Sequence, residues 1–393
     1  MKQTYLRALM GSNVGYACQA VTNNLPPLLF VIFQDQFGFS TAQISFLIIC
    51  NFFVQIMIDG FCAGFVERIG YRISFVAANL LCAAGIASLG VLPFVLPSPM
   101  AGCLLSIVLY ACGGGAIEVL VTPIVNALPT KDPTRTLCIT HSCYCWGHVL
   151  VVLLSTAYFT AFGTVNWRWL PILWSVLPLC NGLAFLAAET PSLEDGGTAE
   201  GSSHALRGIF AKLALVLFLM MLCAGASEVA MAEWSSYFAE RSLGVTKTTG
   251  DILGPCLFAF LMGSARLLYG FFGSRAAPWK IVSLSALGCT ATYLVAALCP
   301  APMAALVACG VTGFFVGPLW PGTLRLAGDW FRGGNTRLFA LMALFGDLGC
   351  GVGPAIAGLV SGSLAVGLAA AAVFPCLLML CALLGAKGPV IQN

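Results

Sequence analysis

Long apolar runs alternate with short polar connections along the whole chain. Each run has close to the roughly 20 predominantly apolar residues that an α-helix needs to cross a lipid bilayer. The connections carry proline, glycine and charged residues, for example at Pro97 and Lys131. This pattern predicts twelve transmembrane helices, here called segments 1 to 12, over residues 8–33, 42–66, 73–95, 102–128, 137–161, 169–188, 210–237, 251–272, 281–299, 303–324, 338–361 and 364–386.

One connection differs from the others in length and polarity. The stretch from Glu189 to His204 is rich in glycine, serine and acidic residues, which is typical of a mobile linker. We therefore predict a bundle of six helices over residues 1–189, a cytoplasmic linker over residues 190–208 and a second bundle of six helices over residues 209–393.

The two predicted bundles contain an internal repeat. Phe37-Gly-Phe-Ser ends segment 1 as Leu243-Gly-Val-Thr ends segment 7, and the two glycines are 206 residues apart (244 − 38). Gly64-Phe after segment 2 and Gly270-Phe after segment 8 have the same spacing (270 − 64). Parallel repeats of this kind place a substrate site near the middle of the membrane, between the halves. The predicted fold class is an all-α membrane protein with twelve transmembrane helices in two pseudo-symmetric six-helix bundles.

Basic residues indicate how the chain is oriented in the membrane. With both termini in the cytoplasm, 14 of the 18 Lys and Arg residues fall on the cytoplasmic side, three fall outside, and Arg266 lies within a span. An excess of basic residues in cytoplasmic loops is the rule for helical membrane proteins. We therefore predict a multi-pass protein of the plasma membrane, which is the inner membrane in a bacterium, with both termini cytoplasmic.

Composition excludes several classes of protein. Hydrophobic residues make up 59% of the chain and charged residues 8%, whereas a soluble domain has about 25% charged residues. The 18 cysteines are scattered within apolar runs, where Cys behaves as a small apolar side chain. Neither a metal-ligand spacing nor a phosphate-binding or nucleophile motif occurs. We therefore predict no enzymatic activity, no cofactor or metal, and no nucleic-acid partner.

The connection after segment 2 contains a recognisable motif, Ala63-Gly-Phe-Val-Glu-Arg-Ile-Gly-Tyr-Arg72. It resembles the signature Gly-x-x-x-Asp-Arg-x-Gly-x-Arg of the major facilitator superfamily, with Ala63 at the first glycine position and Glu67 in place of Asp. An acid beside two arginines can form a charge cluster that breaks when the halves rock against each other. The resemblance implies a transporter that works by alternating access, with gating roles for Glu67, Arg68 and Arg72.

A narrower resemblance covers mainly segments 1, 2, 4 and 5. Gly115-Ala-Ile-Glu-Val-Leu-Val-Thr-Pro-Ile-Val-Asn126 in segment 4 is similar to the Gly-Cys-Leu-Glu-x-x-x-x-Pro-Phe-Val pattern of the fucose permease branch, in which the Glu takes part in proton-coupled sugar transport. The resemblance implies that role for Glu118. The carboxylate that this branch carries in segment 1 is Pro27 here, so neither its two-carboxylate scheme nor fucose as the substrate is implied.

Ionisable residues within the predicted spans are candidates for proton coupling, because a charged side chain at the bilayer centre costs about 2.5–3.5 kcal/mol on insertion scales. Glu118 follows three glycines, which let a backbone or a solute approach closely. Glu228 in segment 7 is our candidate for the second carboxylate. We expect Glu233, five residues further along, to point about 140° away and to be an ordinary wetted acid. His148 completes the predicted proton-coupling set, because imidazole exchanges protons near physiological pH.

The polar and aromatic side chains within the spans suit a neutral polyol, because amides and carboxylates bind hydroxyl groups and flat rings pack on C–H faces. The predicted substrate-binding residues are Asn23, Asn24, Gln55, Glu118, His141, Trp146, His148, Glu228, Trp234, Trp320 and Asp347. Asp59 and Arg266 join the predicted gating residues. Several alternatives stay open: Asp347 is a packing acid paired with Arg266, and the tryptophans anchor helices at the membrane interface. Glu118 could also be a neutral acid that bonds a neighbouring helix, and His141 and His148 could form hydrogen bonds between helices.

These observations predict a monomeric secondary active transporter. It takes up a small neutral solute, such as a monosaccharide, with the proton as the coupling ion. The first alternative is a multidrug or metabolite exporter driven by proton antiport; the glycine-rich signature of antiporters is absent from segment 5, although a similar run occurs in segment 11. The second is a membrane sensor or enzyme, for which no nucleophile or metal constellation is seen.

Overall fold

The computed structural model describes residues 3–130, 133–190, 209–331, 336–360 and 363–385. The described residues contain no strand that pairs into a sheet, and they form twelve helical segments that confirm the predicted fold class. We label these helices α1 (Gln3–Asn24, continued by Phe30–Phe37), α2 (Thr41–Ile69), α3 (Tyr71–Leu89), α4 (Pro99–Ala127), α5 (Pro133–Phe162), α6 (Trp169–Phe185), α7 (Ile209–Arg241), α8 (Lys247–Asp251 continued by Leu257–Phe272), α9 (Pro278–Leu298), α10 (Pro302–Val316 and Leu319–Trp330), α11 (Thr336–Leu359) and α12 (Leu364–Ala371 and Val373–Gly385).

The lengths of these helices fit a membrane protein. Within the described residues, ten are long and apolar enough to cross a bilayer, and α6 is a shorter apolar helix. The remaining helix, α1, carries a row of amides in its second half and is interrupted by a tight turn at Pro26–Leu29. Proline lacks the N–H that a continuous helix needs, which explains the break. Irregular backbone at this depth is tolerated where it is buried within the protein.

The helices pack as two bundles joined by two helix pairs. In the first bundle α4 packs on α3, α3 on α6 and α1 on α5; in the second α7 packs on α11, and α9 on α10 and α12. The two bundles meet mainly through α2 with α11 and through α5 with α8, and the second half of α1 also contacts α7. Because α8 and α11 are the repeat equivalents of α2 and α5, these two interfaces are related by the pseudo-symmetry. The predicted linker lies almost wholly outside the described residues, so the domain boundaries stay a prediction.

The backbone after α1 repeats after α7. Gly38 ends the first helix with φ at 68°, and Gly244 ends the seventh with φ at 65°. Glycine is the residue that adopts this left-handed conformation without strain. Two residues later, Ser40 and Thr246 cap the next helix by accepting a hydrogen bond from a backbone N–H. The predicted repeat is thus present in the local geometry as well as in the sequence.

The left-handed glycines provide a test of this geometry. We expect Gly244→Ala to lower the free energy of unfolding by about 1–2 kcal/mol, because an L-residue is strained at this φ. The control is Gly60→Ala, in the interior of α2. A Cβ atom would meet nothing within 4 Å at either glycine, so the two variants differ in backbone conformation alone. Gly60→Ala should leave stability unchanged or raise it. Equal thermal unfolding temperatures in detergent would contradict the assignment.

Candidate functional site

The carboxyl group of Glu118 lies between the bundles and is bonded by an amide. Gln19 on α1 donates a hydrogen bond from Nε2 to Glu118 Oε2. The other amide atom, Gln19 Oε1, is buried and has no hydrogen-bond partner among the described residues. Glu118 is half-buried, and the carboxyl groups of Asp59, Glu228 and Asp347 are near enough to interact with it electrostatically. The structure therefore brings these four predicted residues together.

The amides of α1 connect this helix to its neighbours. Asn23 Oδ1 accepts hydrogen bonds from Gln55 Nε2 at 2.9 Å and from Asn51 Nδ2 at 3.4 Å, both on α2. Asn24 Nδ2 donates to the hydroxyl of Tyr144 on α5 at 3.3 Å. Gln19 and Asn23 are one helical turn apart and share a face of α1. This face supplies neutral hydrogen-bonding groups to the space between the bundles.

Glu228 forms an ion pair with Arg266. Arg266 Nη2 lies 2.7 Å from Glu228 Oε2, with the two side chains 23% and 14% exposed. Arg266 Nη1 also lies 3.5 Å from Cys145 Sγ on α5, so this guanidinium reaches across the α5–α8 interface. The alternative that pairs Arg266 with Asp347 is therefore wrong, because its guanidinium is taken by Glu228. Arg266 thus lies inside the helix bundle, and its gating role stays a prediction.

Two acids face each other across the other interface. Asp59 on α2 and Asp347 on α11 interact through their carboxyl groups. They continue a stripe of contacts in which Gly351 packs on Phe52 and Gly358 on Ser45. Two carboxyl groups in contact are stable when they share a proton, because like charges at that distance repel strongly. The α2–α11 interface therefore places two neighbouring acids against each other.

Two narrow cavities lie between the bundles, and neither Glu118 nor Asp59 nor Asp347 is among the residues that line these two. One cavity is lined mainly by polar residues, namely Asn23, Asn24, Tyr144, His148, Glu228 and Glu233. The other cavity extends from Asn23 and Glu233 past Asn51 and Tyr110 to the apolar residues Phe33 and Ile107. His148 is buried, at 2% exposure. The predicted site residues Asn23, Asn24, His148 and Glu228 therefore share one enclosed space.

Glu233 is not the wetted acid that the sequence suggested. Its side chain is 5% exposed, and it lines the same cavity as Glu228. The angle of about 140° between the two positions on an ideal helix did not separate them. The reason is that the cavity borders a broad face of α7, which includes Val229 and Ala232 between them.

The predicted aromatic ligands lie outside the two cavities. Trp146 packs against Phe260 of α8, with ring centroids 5.9 Å apart. Trp234 is fully buried and donates its indole N–H to the Pro354 carbonyl at 2.9 Å. Trp320 packs on Gly346, where a Cβ atom would meet the indole ring. These tryptophans hold helices together, and their substrate-binding role stays a prediction.

The contacts between the bundles differ between the two faces of the membrane. We call the face at which α1 begins and α12 ends the terminal side, and the opposite face the far side. On the far side, Gln34 accepts a hydrogen bond from Tyr237 at 3.0 Å, and Asp35 forms an ion pair with Arg241. Asp251 accepts a hydrogen bond from Thr156, at 3.1 Å. These contacts close the space between the bundles on the far side.

Exposure along α5 increases toward the terminal side. His148 is buried, Tyr144 is half-buried, and His141 is exposed. His141 lies nearest the terminal side, where it contacts the Tyr16 ring at 5.0 Å and Thr122 Oγ1 at 3.4 Å. His148 therefore lies at the buried end of this polar face of α5, and His141 lies at the end toward the terminal side.

The predicted gating cluster lies at this terminal side. Arg68, in the last turn of α2, and Arg72, at the start of α3, are exposed. The side chain of Glu67 lies outside the described residues. The charge cluster therefore stays a prediction.

The sequence-based prediction of the site did not include three residues that the structure places there, namely Gln19, Asn51 and Tyr144. Each had a periodic signal. Gln19 precedes Asn23 by one turn, and Tyr144 lies between His141 and His148 at helical spacing. Asn51 precedes Gln55 by one turn of α2 in the same way.

The space between the bundles that holds the two cavities and the carboxyl group of Glu118 is here called the chamber. Twelve helices in two pseudo-symmetric bundles around such a polar chamber are the architecture of a membrane transporter. The chain matches the model of the Major Facilitator Superfamily over residues 13–312, and it therefore belongs to that superfamily. No curated protein matches it by sequence.

Solved structures share its fold at low sequence identity. The E. coli fucose:proton symporter has a TM-score of 0.67 at 17% identity, with 100% of both chains covered. A D-xylose-proton symporter has a TM-score of 0.76 at 15% identity, covering 98% of this chain and 97% of that one. The nucleoside transporter NupG has a TM-score of 0.74 at 13% identity, covering 98% of this chain and 100% of the other. These likenesses show the fold alone.

The ion pair between Glu228 and Arg266 generates a stability prediction. Glu228→Gln or Arg266→Met alone should each lower the free energy of unfolding by about 3–5 kcal/mol, because each leaves one buried charge without a partner. The double variant should lose much less than the sum of the two. Thermal or denaturant unfolding in detergent measures the three losses.

An exposed pair serves as the matched control. Asp35→Asn and Arg241→Gln remove an ion pair whose side chains are 63% and 37% exposed, and each should cost less than about 1 kcal/mol. If the losses at Glu228 and Arg266 simply add, the two residues are not coupled as described.

Proposed function

We propose that this transporter moves a small neutral polar solute together with a proton, and that Glu118 carries the proton. The observation that carries the proposal is the environment of the Glu118 carboxyl group. Its hydrogen-bond donor is the neutral amide of Gln19. Arg266, the basic residue that the described helices place in the chamber, is already bound by Glu228. Glu118 therefore lacks a cation.

The energetics of the membrane interior connect this environment to coupling. An ionised side chain in the middle of a span costs about 2.5–3.5 kcal/mol on insertion scales. A proton removes that charge and converts the carboxyl group into a hydrogen-bond donor. A carrier whose halves must move past each other is thus helped by a proton on Glu118. Solute binding beside Glu118 would make the movements of proton and solute depend on each other.

The lining of the chamber supports a neutral, hydroxyl-rich solute such as a monosaccharide. Asn23, Asn24, Tyr144 and His148 supply uncharged donors and acceptors that match the hydroxyl groups of a polyol. Gln55 lies behind this lining, where it donates a hydrogen bond to Asn23. The free carbonyl oxygen of Gln19 supplies one more acceptor. Two of the proteins that share the fold are sugar:proton symporters by name.

A second candidate function is export of an organic cation by proton antiport. One observation favours it: Glu118, Asp59 and Asp347 form an acidic group in which the described residues place no free basic side chain. A cationic solute would neutralise such a group in place of protons. The two candidates predict opposite responses to sugars and cationic dyes.

Transport assays in proteoliposomes distinguish these candidates. In a panel of monosaccharides and lipophilic cationic dyes, we expect one sugar to make an unbuffered external medium more alkaline as it enters with protons. Glu118→Gln should reduce uphill accumulation of the sugar at least ten-fold and keep downhill exchange, because the neutral amide mimics the protonated acid.

The control variant is Glu189→Gln, which changes an exposed acid at the end of the first bundle and should accumulate the sugar as the native protein does. Uphill accumulation by Glu118→Gln would remove Glu118 as the proton carrier. Dye extrusion without any response to a sugar would establish the antiport candidate instead.

A further inference from the structure

Glu233 occupies the junction of the two cavities. Its side chain lines both of them, and Asn23 is the other residue that does so. At 5% exposure, the carboxyl group is enclosed by protein. It lies in the last third of α7, beyond Glu228 and toward the closed far side.

Nothing in the described structure compensates a charge on Glu233. No described basic side chain forms an ion pair with it, and none of the described residues donates a hydrogen bond to it. Glu228, on the same helix, has Arg266 as its counter-ion. The two acids of α7 line one cavity yet differ in charge compensation. An ionised and enclosed carboxylate without a donor is a costly arrangement.

A second buried polar group without a hydrogen-bond partner among the described residues lines the cavity that contains Glu233, Asn51 and Tyr110. Asn51 Oδ1 is buried and accepts no hydrogen bond, and its side chain is 6% exposed. The amide nitrogen of the same side chain is directed to Asn23, so the free carbonyl oxygen needs a donor from elsewhere. An unsatisfied buried acceptor costs about 1–3 kcal/mol. Glu233 lines the same cavity, and its carboxyl group, when protonated, has an O–H that can donate to such an acceptor.

The remaining groups around Glu233 do not supply a permanent cation. Tyr110 of α4, Tyr144 and His148 of α5, and Cys350 of α11 face it from the neighbouring helices, and Glu228 faces it from its own helix. Arg266 lies beyond Glu228 and is bound there. Protonation of the acid itself is therefore the direct way to neutralise it.

We propose that Glu233 is a second proton-binding acid of this transporter, and that its proton lies in the cavity that it shares with Asn51. The inference rests on the proposed function for its role in transport, since it gives the coupling proton a second binding position on the far-side flank of the chamber. The binding of the proton itself requires no knowledge of the solute.

Infrared difference spectroscopy of the full-length protein in lipid tests this binding directly. Protonated carboxyl groups absorb in a region separate from carboxylates, so a pH step reports each acid that loses its proton. We expect Glu233→Gln to remove one component of the protonated-carboxyl band. Asp35→Asn should leave that band unchanged, because Asp35 is an exposed acid paired with Arg241. A Glu233→Gln spectrum identical to that of the native protein would overturn the proposal.

A second variant keeps the proposal testable if Glu233→Gln does not fold. Asn51→Leu keeps the side-chain volume and removes the acceptor, so the Glu233 component should shift in frequency. An unshifted band would contradict the shared cavity.

Transport measurements separate this proposal from the proposed function. If no solute moves protons but the Glu233 component is present, the proposed function fails and the proton site stands. If coupled uptake is measured but Glu233→Gln retains the full band, the proton site fails alone.

Discussion

The structure depends on how ionisable side chains are neutralised inside a bundle of apolar helices. One acid, Glu228, is neutralised by a guanidinium that reaches across the interface between the halves. Glu118 is held by a neutral amide, and Asp59 and Asp347 face each other. Because a buried charge without a partner is costly, the acids that lack a cation can be neutralised by protons or by a cationic solute. The helices that carry these acids meet between the two bundles, where Glu118 is near Asp59, Glu228 and Asp347.

The pseudo-symmetry explains where these groups are found. The two halves meet mainly through α2 with α11 and through α5 with α8, which are equivalent pairs in the repeat. The sequence has made these equivalent interfaces chemically different: one carries the acid pair, and the other carries the guanidinium beside Cys145. Under the proposed function, a proton would act at the first interface, whereas the second half keeps the ion pair between Glu228 and Arg266.

Much of the fold could be predicted from the sequence, because twelve apolar runs and a repeat of 206 residues reflect local physics. The glycines Gly38 and Gly244, which mark that repeat in the sequence, both have a positive φ in the structure. The site was predicted less completely. The cost of a charge within a span indicated Glu118 and Glu228 as site residues, but nothing in the sequence indicated that Arg266 binds Glu228 rather than Asp347, or that Glu233 is enclosed. Those facts depend on how the helices are rotated and packed against each other. The periodicity of a sequence carries no information on that packing.

The central claim is that protonation of the chamber shifts the balance between the two faces of the carrier. Electron–electron distance measurements between spin labels at Ala42 and Ser242, exposed residues of the two halves on the far side, test it directly. The labels need a non-natural amino acid for attachment, because the chain contains 18 cysteines. The account predicts a short and a long distance whose proportions change with pH in the native protein, and change much less in Glu118→Gln. A distance distribution that is independent of pH in the native protein would contradict it.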